Sequence, residues 1–221
     1  MVLAAGRGER MRPITDTLPK PLVPVADKPL IGYHLERLAR AGFRDVVINL
    51  SWLGNRIREA LGDGRQYGLS IAYSEERPEP LETGGGIFQA LPLLGSGAFL
   101  VVNGDTWNDI EYGGLQLAPG ADGHLVLVRN PTHNTKGDFG LEDGFVVERA
   151  NDRFTYSGVG VYRPEFFAGC SAGKFPMLPL LKRAIAGRKL QGELHEGEWI
   201  DVGTPQRLAS LDAEVRARTG Y

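Results

Sequence analysis

Cysteine is all but missing. Cys170 is the only one in 221 residues, so no internal disulfide forms, and such a chain suits a reducing compartment. Gly169 and Ser171 to Gly173 surround it with a loop-like stretch that holds no base, so a thiolate nucleophile is not expected. No apolar run reaches the ~18 residues of a membrane-spanning helix. No charged-then-apolar leader opens the chain either, and a cytoplasmic location is expected. Charge of one sign is also lacking: 25 basic against 27 acidic residues leave a net charge of −2. There is no global field to draw in nucleic acid or an anionic membrane, and neither is expected as a partner. Long linkers, composition shifts and repeats with periods of about 20 to 50 residues are absent. A single domain over residues 1–221 is therefore expected, as a monomer or weak homo-oligomer.

What the chain does have is glycine, 30 of them, and the first lie at a telling place. Val2 to Ala5 reads as a buried strand, so close to the start that a residue or two is expected ahead of Met1 in the natural protein. The chain leaves that strand through Gly6-Arg7-Gly8. Lacking Cβ atoms, these glycines let backbone N–H groups approach an anion. Arg7, Arg10 and Arg12 follow, and Lys20 sits between Pro19 and Pro21 on a stretch with little conformational freedom. A strand that ends in a donor-rich, cationic loop is what a polyphosphate requires.

Beyond the loop, helical and strand patterns alternate. Helices are expected over Pro29 to Ala41 and Leu53 to Leu61, and after Thr83-Gly84-Gly85-Gly86. Strands are expected at Val46 to Leu50, Leu69 to Tyr73 and Ala98 to Asn103. The second half turns to short strands at His124 to Arg129, Gly137 to Leu141, Phe145 to Glu148 and Phe154 to Tyr162. Helices over Leu178 to Ala186 and Pro205 to Arg216 follow. The class is α/β: a Rossmann-like, mixed and mostly parallel central sheet flanked by helices, with a small hairpin extension.

Two common phosphate motifs do not fit. The dinucleotide fingerprint G-x-G-x-x-G has Met11 where its third glycine belongs, and no P-loop string exists. The run Leu3-Ala4-Ala5-Gly6-Arg7-Gly8-Glu9-Arg10-Met11-Arg12-Pro13 is followed by Thr15, by Pro19-Lys20-Pro21-Leu22-Val23-Pro24-Val25 and by Lys28-Pro29-Leu30-Ile31. This pattern resembles the opening of the sugar-1-phosphate nucleotidyltransferase family.

The resemblance implies transfer of a nucleotidyl group from a nucleoside triphosphate to a sugar 1-phosphate, with Mg2+ as cofactor and pyrophosphate as leaving group. Charge then builds on the α-phosphoryl oxygens and the pyrophosphate, so positioning and electrostatics carry the catalysis. Arg10 aligns with the family arginine on the leaving phosphates, beside the backbone donors of Gly8 and Glu9. Lys20 aligns with the lysine on the reacting phosphates, while Arg7 and Arg12 lie beside the pattern. Asp105, after the apolar strand, and Asp201, in Trp199-Ile200-Asp201-Val202-Gly203-Thr204, match the two metal-binding aspartates. Thr83 and Gly85 of the triple-glycine segment, with Leu3, Ala4, Ala5 and Gly6, are implied to meet the nucleotide. Asn103, Asp138 and Glu148 are implied at the sugar. The usual E-K-P continuation is broken here: Arg149 replaces the lysine and no proline follows, so Arg149 or Arg153 is expected to supply that cation.

Within the family, Pro80-Leu81-Glu82-Thr83-Gly84-Gly85-Gly86, Val102-Asn103-Gly104-Asp105 and Gly137-Asp138-Phe139 look most like the N-acetylmuramate α-1-phosphate uridylyltransferases. That implies UTP and N-acetylmuramate 1-phosphate as substrates, and cell-wall recycling as the setting. Mannose-1-phosphate guanylyltransferases share the opening motif and stay open, as do glucose-1-phosphate uridylyl- and thymidylyltransferases. A non-catalytic regulatory subunit that binds nucleotide sugars would have lost the lysine or a metal aspartate. Lys20, Asp105 and Asp201 are all present.

Overall fold

Strand β1 (Val2–Leu3) is left through Gly8, whose φ of 65° lies where a side chain is strained. A short turn at Glu9–Met11, the one-turn helix α1 (Ile14–Thr17) and the hairpin of β2 (Pro24–Val25) and β3 (Lys28–Pro29) lead to α2 (Leu30–Arg40). Helix α2 buries Leu30, Ile31, His34, Leu35 and Leu38, the single face that a 3.6-residue period produces. Then come β4 (Asp45–Leu50), α3 (Gly54–Leu61), β5 (Ser70–Glu75), α4 (Glu82–Leu94), β6 (Phe99–Asn103) and β7 (Thr106–Asn108). The remainder is β8 (Gly123–Val128), β9 (Phe139–Glu142), β10 (Phe145–Val147), β11 (Arg153–Tyr162), α5 (Leu178–Ala186), β12 (Leu190–His195), β13 (Trp199–Asp201) and α6 (Pro205–Thr219). This computed structural model describes residues 1–219. No helix among them is long and apolar enough to cross a membrane.

The chain forms two compact units. The first contains Val2–Pro80, Asn103–Gly113 and the residues from Glu198 on. In it β4 runs parallel to β1, with Val2 opposite Ile48, and parallel to β5, from Asp45 opposite Ser70 to Leu50 opposite Glu75. Val46 to Leu50 are all buried, as a strand with parallel partners on both sides requires. A second core joins Val25 and Leu30 to Val202, Leu211 and Val215, with Ile200 and Trp107 packed against it. This core anchors an antiparallel ribbon in which β13 pairs with β7, Asp201 opposite Thr106.

The second unit comprises Met1, Leu81–Val102 and Gly114–Gly197. There β11 is antiparallel to β6 and to β8, and β12 lies parallel to β8. Strand β10 is antiparallel to β12 and to β9. The β9–β10 turn is Asp143-Gly144, both with positive φ (50° and 77°), the two-residue geometry that an Asp-Gly pair favours. Parallel pairing, expected to dominate, holds in the first unit and at β8–β12. Elsewhere in the second unit the pairing is antiparallel, which needs no crossover helix, and β9 and β10 form a hairpin.

Several elements depart from the sequence reading. Strand β12, Leu-Gln-Gly-Glu-Leu-His, has too little apolar period to be seen; Gly192 is required because a Cβ there would sit 2.7 Å from Val146 Cγ2. Strands β7 and β13 are three residues each, too short for any period. Finally, Thr83 to Gly86 is not a loop ahead of a helix but the first turn of α4.

Candidate active site

Lys20 opens a tight turn, Lys20–Leu22, set by Pro19 and Pro21, with Val23 N–H bonding back to the Lys20 carbonyl. The turn buries the side chain to 7 % exposure. Its ammonium reaches Asp105 Oδ2 at 2.5 Å, and that carboxylate is 39 % exposed. Gly8 closes over the lysine stem: a Cβ there would lie 3.2 Å from Lys20 Cβ and 3.0 Å from Thr15 Cγ2. The Thr15 hydroxyl donates to the Gly8 carbonyl at 2.8 Å, pinning the loop from below.

Asp105 stands in a turn built by close backbone approach. Gly104 N–H donates to the Leu3 carbonyl at 2.9 Å, and a Cβ on Gly104 would meet that oxygen at 2.7 Å. Only glycine fits there, which explains the Gly104-Asp105 pair. Val202 N–H donates to the Asp105 carbonyl at 3.1 Å, so Asp201 and Asp105 come from distant stretches of the sequence to neighbouring positions on one ribbon. Ile200 and Val202 point into the core, and Asp201 between them points the other way. Its Oδ2 accepts from Arg207 Nη1 at 2.7 Å, with Asp201 17 % and Arg207 23 % exposed.

Two hard carboxylate donors at adjacent positions suit a small divalent cation that completes its shell with phosphate oxygens and water. Among the described residues no cluster of three or more His, Cys, Asp or Glu side chains exists that could hold a metal alone. Two carboxylates would leave most of such a cation's coordination shell to other ligands.

The three loop arginines separate clearly. Arg7 lies over the Trp52 ring at 4.5 Å, and Arg12 pairs with Asp16 at 3.1 Å. Arg10 is exposed, and among the described residues its guanidinium has no protein partner. Glu9 is exposed beside it, and Gly6 borders open space. Ala4 and Ala5 are buried. The Ala4 N–H, implied by the resemblance at the nucleotide, donates to Asn49 Oδ1 at 2.7 Å, and Asn49 Nδ2 donates to the buried Glu76 at 2.6 Å. Sequence reasoning missed this polar chain, for it joins residues 45 and 27 positions apart. Asn103 is half-buried with its side-chain amide unengaged among the described residues; its carbonyl accepts the Thr106 hydroxyl at 3.1 Å.

Behind the ribbon, the buried His34 of α2 meets the Thr106 carbonyl at 2.7 Å through Nε2 and Tyr112 Oη at 3.0 Å through Nδ1. A carbonyl only accepts, so Nε2 carries the proton. Burial holds the imidazole pKa down to about 4 and pushes the Tyr112 phenol up to about 12, so both are neutral at pH 7.

In the second unit the triple glycine also answers a demand of packing. A Cβ on Gly84 would meet the Phe175 ring at 2.6 Å, and one on Gly85 would run into the Gly173 carbonyl. Gly85 N–H donates to the Phe175 carbonyl at 3.0 Å. Close packing by the chain itself accounts for two of the three glycines, while Thr83 remains exposed. Both Asp138 carboxylate oxygens accept bonds, Oδ1 from Asn134 at 3.1 Å and Oδ2 from Tyr156 N–H at 2.8 Å, and Arg153 donates to the Asp138 carbonyl at 2.5 Å. Glu148 is exposed and lies 3.2 Å from Lys182 of α5. That lysine was invisible to a reading of the broken E-K-P string, which looked only to the nearby Arg149 and Arg153.

Residues 1–141 match the nucleotidyl transferase family. An N-acetylmuramate α-1-phosphate uridylyltransferase of Neisseria meningitidis serogroup B is 53 % identical over 222 residues, 96 % of this chain and 96 % of that one. A Caulobacter vibrioides protein of the same name is 39 % identical over 236 residues, 98 % of this chain and 95 % of that one. A crystal structure from Bacillus anthracis, assigned as a glucose-1-phosphate thymidylyltransferase, has a TM-score of 0.83 at 18 % identity, covering 97 % of this chain and 94 % of that one. At that identity the structural likeness speaks for the fold alone. The chain belongs to the nucleotidyl transferase family and is an enzyme of the class that moves a nucleotidyl group onto a sugar 1-phosphate.

Proposed function

We propose that the protein is a Mg2+-dependent uridylyltransferase that converts UTP and N-acetylmuramate 1-phosphate into UDP-N-acetylmuramate and pyrophosphate. Its setting is cell-wall recycling in the cytoplasm, and residues 1–221 act as one nucleotidyltransferase domain. The observation that carries the reading is the convergence of Lys20, Asp105 and Asp201 from three distant stretches, with Lys20 Nζ 2.5 Å from Asp105. The names of the two similar uridylyltransferases support the choice of nucleotide and sugar.

Each residue has a task in this scheme. A sugar-phosphate oxygen attacks the α-phosphorus, and the bond to the β-phosphate oxygen breaks. Arg10 and the backbone donors of Gly8 and Glu9 hold the β- and γ-phosphates and take up the charge of the leaving pyrophosphate. Lys20, fixed between two prolines, steadies the α-phosphoryl oxygens. Asp105 and Asp201 would hold a Mg2+ ion, which would supply charge neutralisation at the reacting phosphates. The strand end from Leu3 to Gly6, with Thr83 and Gly85, faces the nucleotide. Asn103 and Glu148 hold sugar hydroxyls, and the Asp138 backbone meets the sugar. Lys182, beside Glu148, is a further candidate for the cation that the E-K-P departure removes.

The test is pyrophosphate release with Mg2+ from a panel of UTP, dTTP, GTP, ATP and CTP against N-acetylmuramate, glucose and mannose 1-phosphates. UTP with N-acetylmuramate 1-phosphate is expected to give the highest kcat/KM. A preference for GTP with mannose 1-phosphate overturns the assignment.

A further inference from the structure

We infer that Arg207 is a positioning residue that fixes the Asp201 carboxylate for a divalent cation. The inference rests on the reading of Asp105 and Asp201 as the cation's ligands. After β13 the chain turns through Val202-Gly203 into α6, and Arg207 N–H donates to Thr204 Oγ1 at 3.3 Å. That cap sets Arg207 in the first turn of α6, a poor place for a cation, because a helix N-terminus already carries partial positive charge. A first-turn arginine thus needs a reason beyond helix stability.

Asp201 provides it. Arg207 Nη1 donates to Asp201 Oδ2 at 2.7 Å within a largely covered setting. Gly203 is shaped to the same pair: a Cβ there would stand 2.6 Å from Arg207 Nη2 and 2.9 and 3.0 Å from the two Asp201 oxygens. Two residues of different type are therefore fitted to one carboxylate rotamer. Lys20 does for Asp105 what Arg207 does for Asp201, so each carboxylate has its own cation within the protein. Each acid therefore has its charge compensated before a metal arrives, and Asp201 presents a fixed direction to it. Outer partners of metal-binding carboxylates commonly act in this way.

The test uses Mn2+ alone as the probe, with the free ion counted by its electron paramagnetic resonance signal. Wild type is compared with D201N, R207Q and R207K, and each is melted in the presence of a chelator. D201N is expected to bind Mn2+ less tightly than wild type; if the two are indistinguishable, the metal reading fails and this inference with it. Where D201N is impaired, R207Q is expected to lose about tenfold in Mn2+ affinity, with partial recovery in R207K. Affinity in R207Q equal to or tighter than wild type overturns the inference alone, the tighter case marking Arg207 as a competitor of the metal. Should R207Q melt too low to assay, R207K decides: Mn2+ affinity equal to wild type overturns the inference, and weaker binding at an unchanged melting temperature supports it.

Discussion

At Lys20 two demands fall on one side chain. Its ammonium is almost fully buried, whereas its partner Asp105 is 39 % exposed, so the two halves of the pair differ in what their loss leaves behind. Asp105→Ala strands a buried cation and is expected to cost about 3 kcal/mol in urea unfolding at pH 7. Lys20→Met leaves a carboxylate that water can solvate, and its cost is expected to stay within about 1 kcal/mol. Both variants should lose about a thousandfold or more in kcat, because each removes charge from the proposed transition state. Near-normal turnover in Asp105→Ala refutes its metal role. Arg10 makes the contrasting case. With no protein partner among the described residues, Arg10→Ala should leave stability within about 0.5 kcal/mol of wild type while raising the KM for UTP. A melting shift without a kinetic change would remove Arg10 from the phosphate site. Lys20, Asp105 and Asp201 were legible in the sequence because each lies inside a short string whose order along the chain is itself informative. Asn49, Lys182 and Arg207 were not, because their partners or their purpose appear only when distant or helical segments fold back.

Among the elements, α4 gives the sharpest test of sequence against structure. Alanine is the better helix former by about 1 kcal/mol, so helix propensity alone predicts that Gly85→Ala stabilises. The Gly173 carbonyl occupies the space the methyl would need, and overpacking of this kind costs typically 1–3 kcal/mol or more. Gly85→Ala is therefore expected to lower the melting temperature in the absence of any nucleotide. Unchanged stability together with weakened UTP binding would return the glycine to a purely ligand-facing role. The long periodic elements, α2 and β4 among them, could be read from the sequence since their apolar spacing spans several turns or pairs. The β7–β13 ribbon could not: three residues per strand carry no period, and what holds them is the Val25, Leu30, Val202, Leu211 and Val215 core. The site's two carboxylates ride on the element that local sequence describes least.

For the molecule as a whole, the buried His34 ties stability to pH. Its folded pKa of about 4 lies below the unfolded value of about 6.5, so between those values the unfolded chain holds the extra proton. Stability from this residue is full above about pH 6.5 and falls as pH drops toward 4, by up to roughly 3 kcal/mol. Asp27 and Asp212, held below the ordinary carboxylate range by hydrogen bonds from Arg216, lose their share only at lower pH, whereas the Met1 amino group, held down to about 5 by burial, shares the upper window with the histidine. Urea unfolding at pH 7, 6, 5 and 4 should trace this slope, and His34→Gln should flatten it. An unchanged slope in that variant would show that other groups take up the protons.

The ribbon that joins Asp105 to Asp201 also sets a schedule for synthesis. A ribosome delivers the phosphate loop, Lys20 and Asp105 in the first half of translation, but β13 and the α6 side of the core only after residue 198 has emerged. A chain stalled earlier carries most of the proposed triphosphate cradle without its second carboxylate or the apolar cover over Val25 and Leu30. Such a fragment should be sticky to chaperones and catalytically silent, so turnover reports that translation has passed the last of the proposed metal ligands.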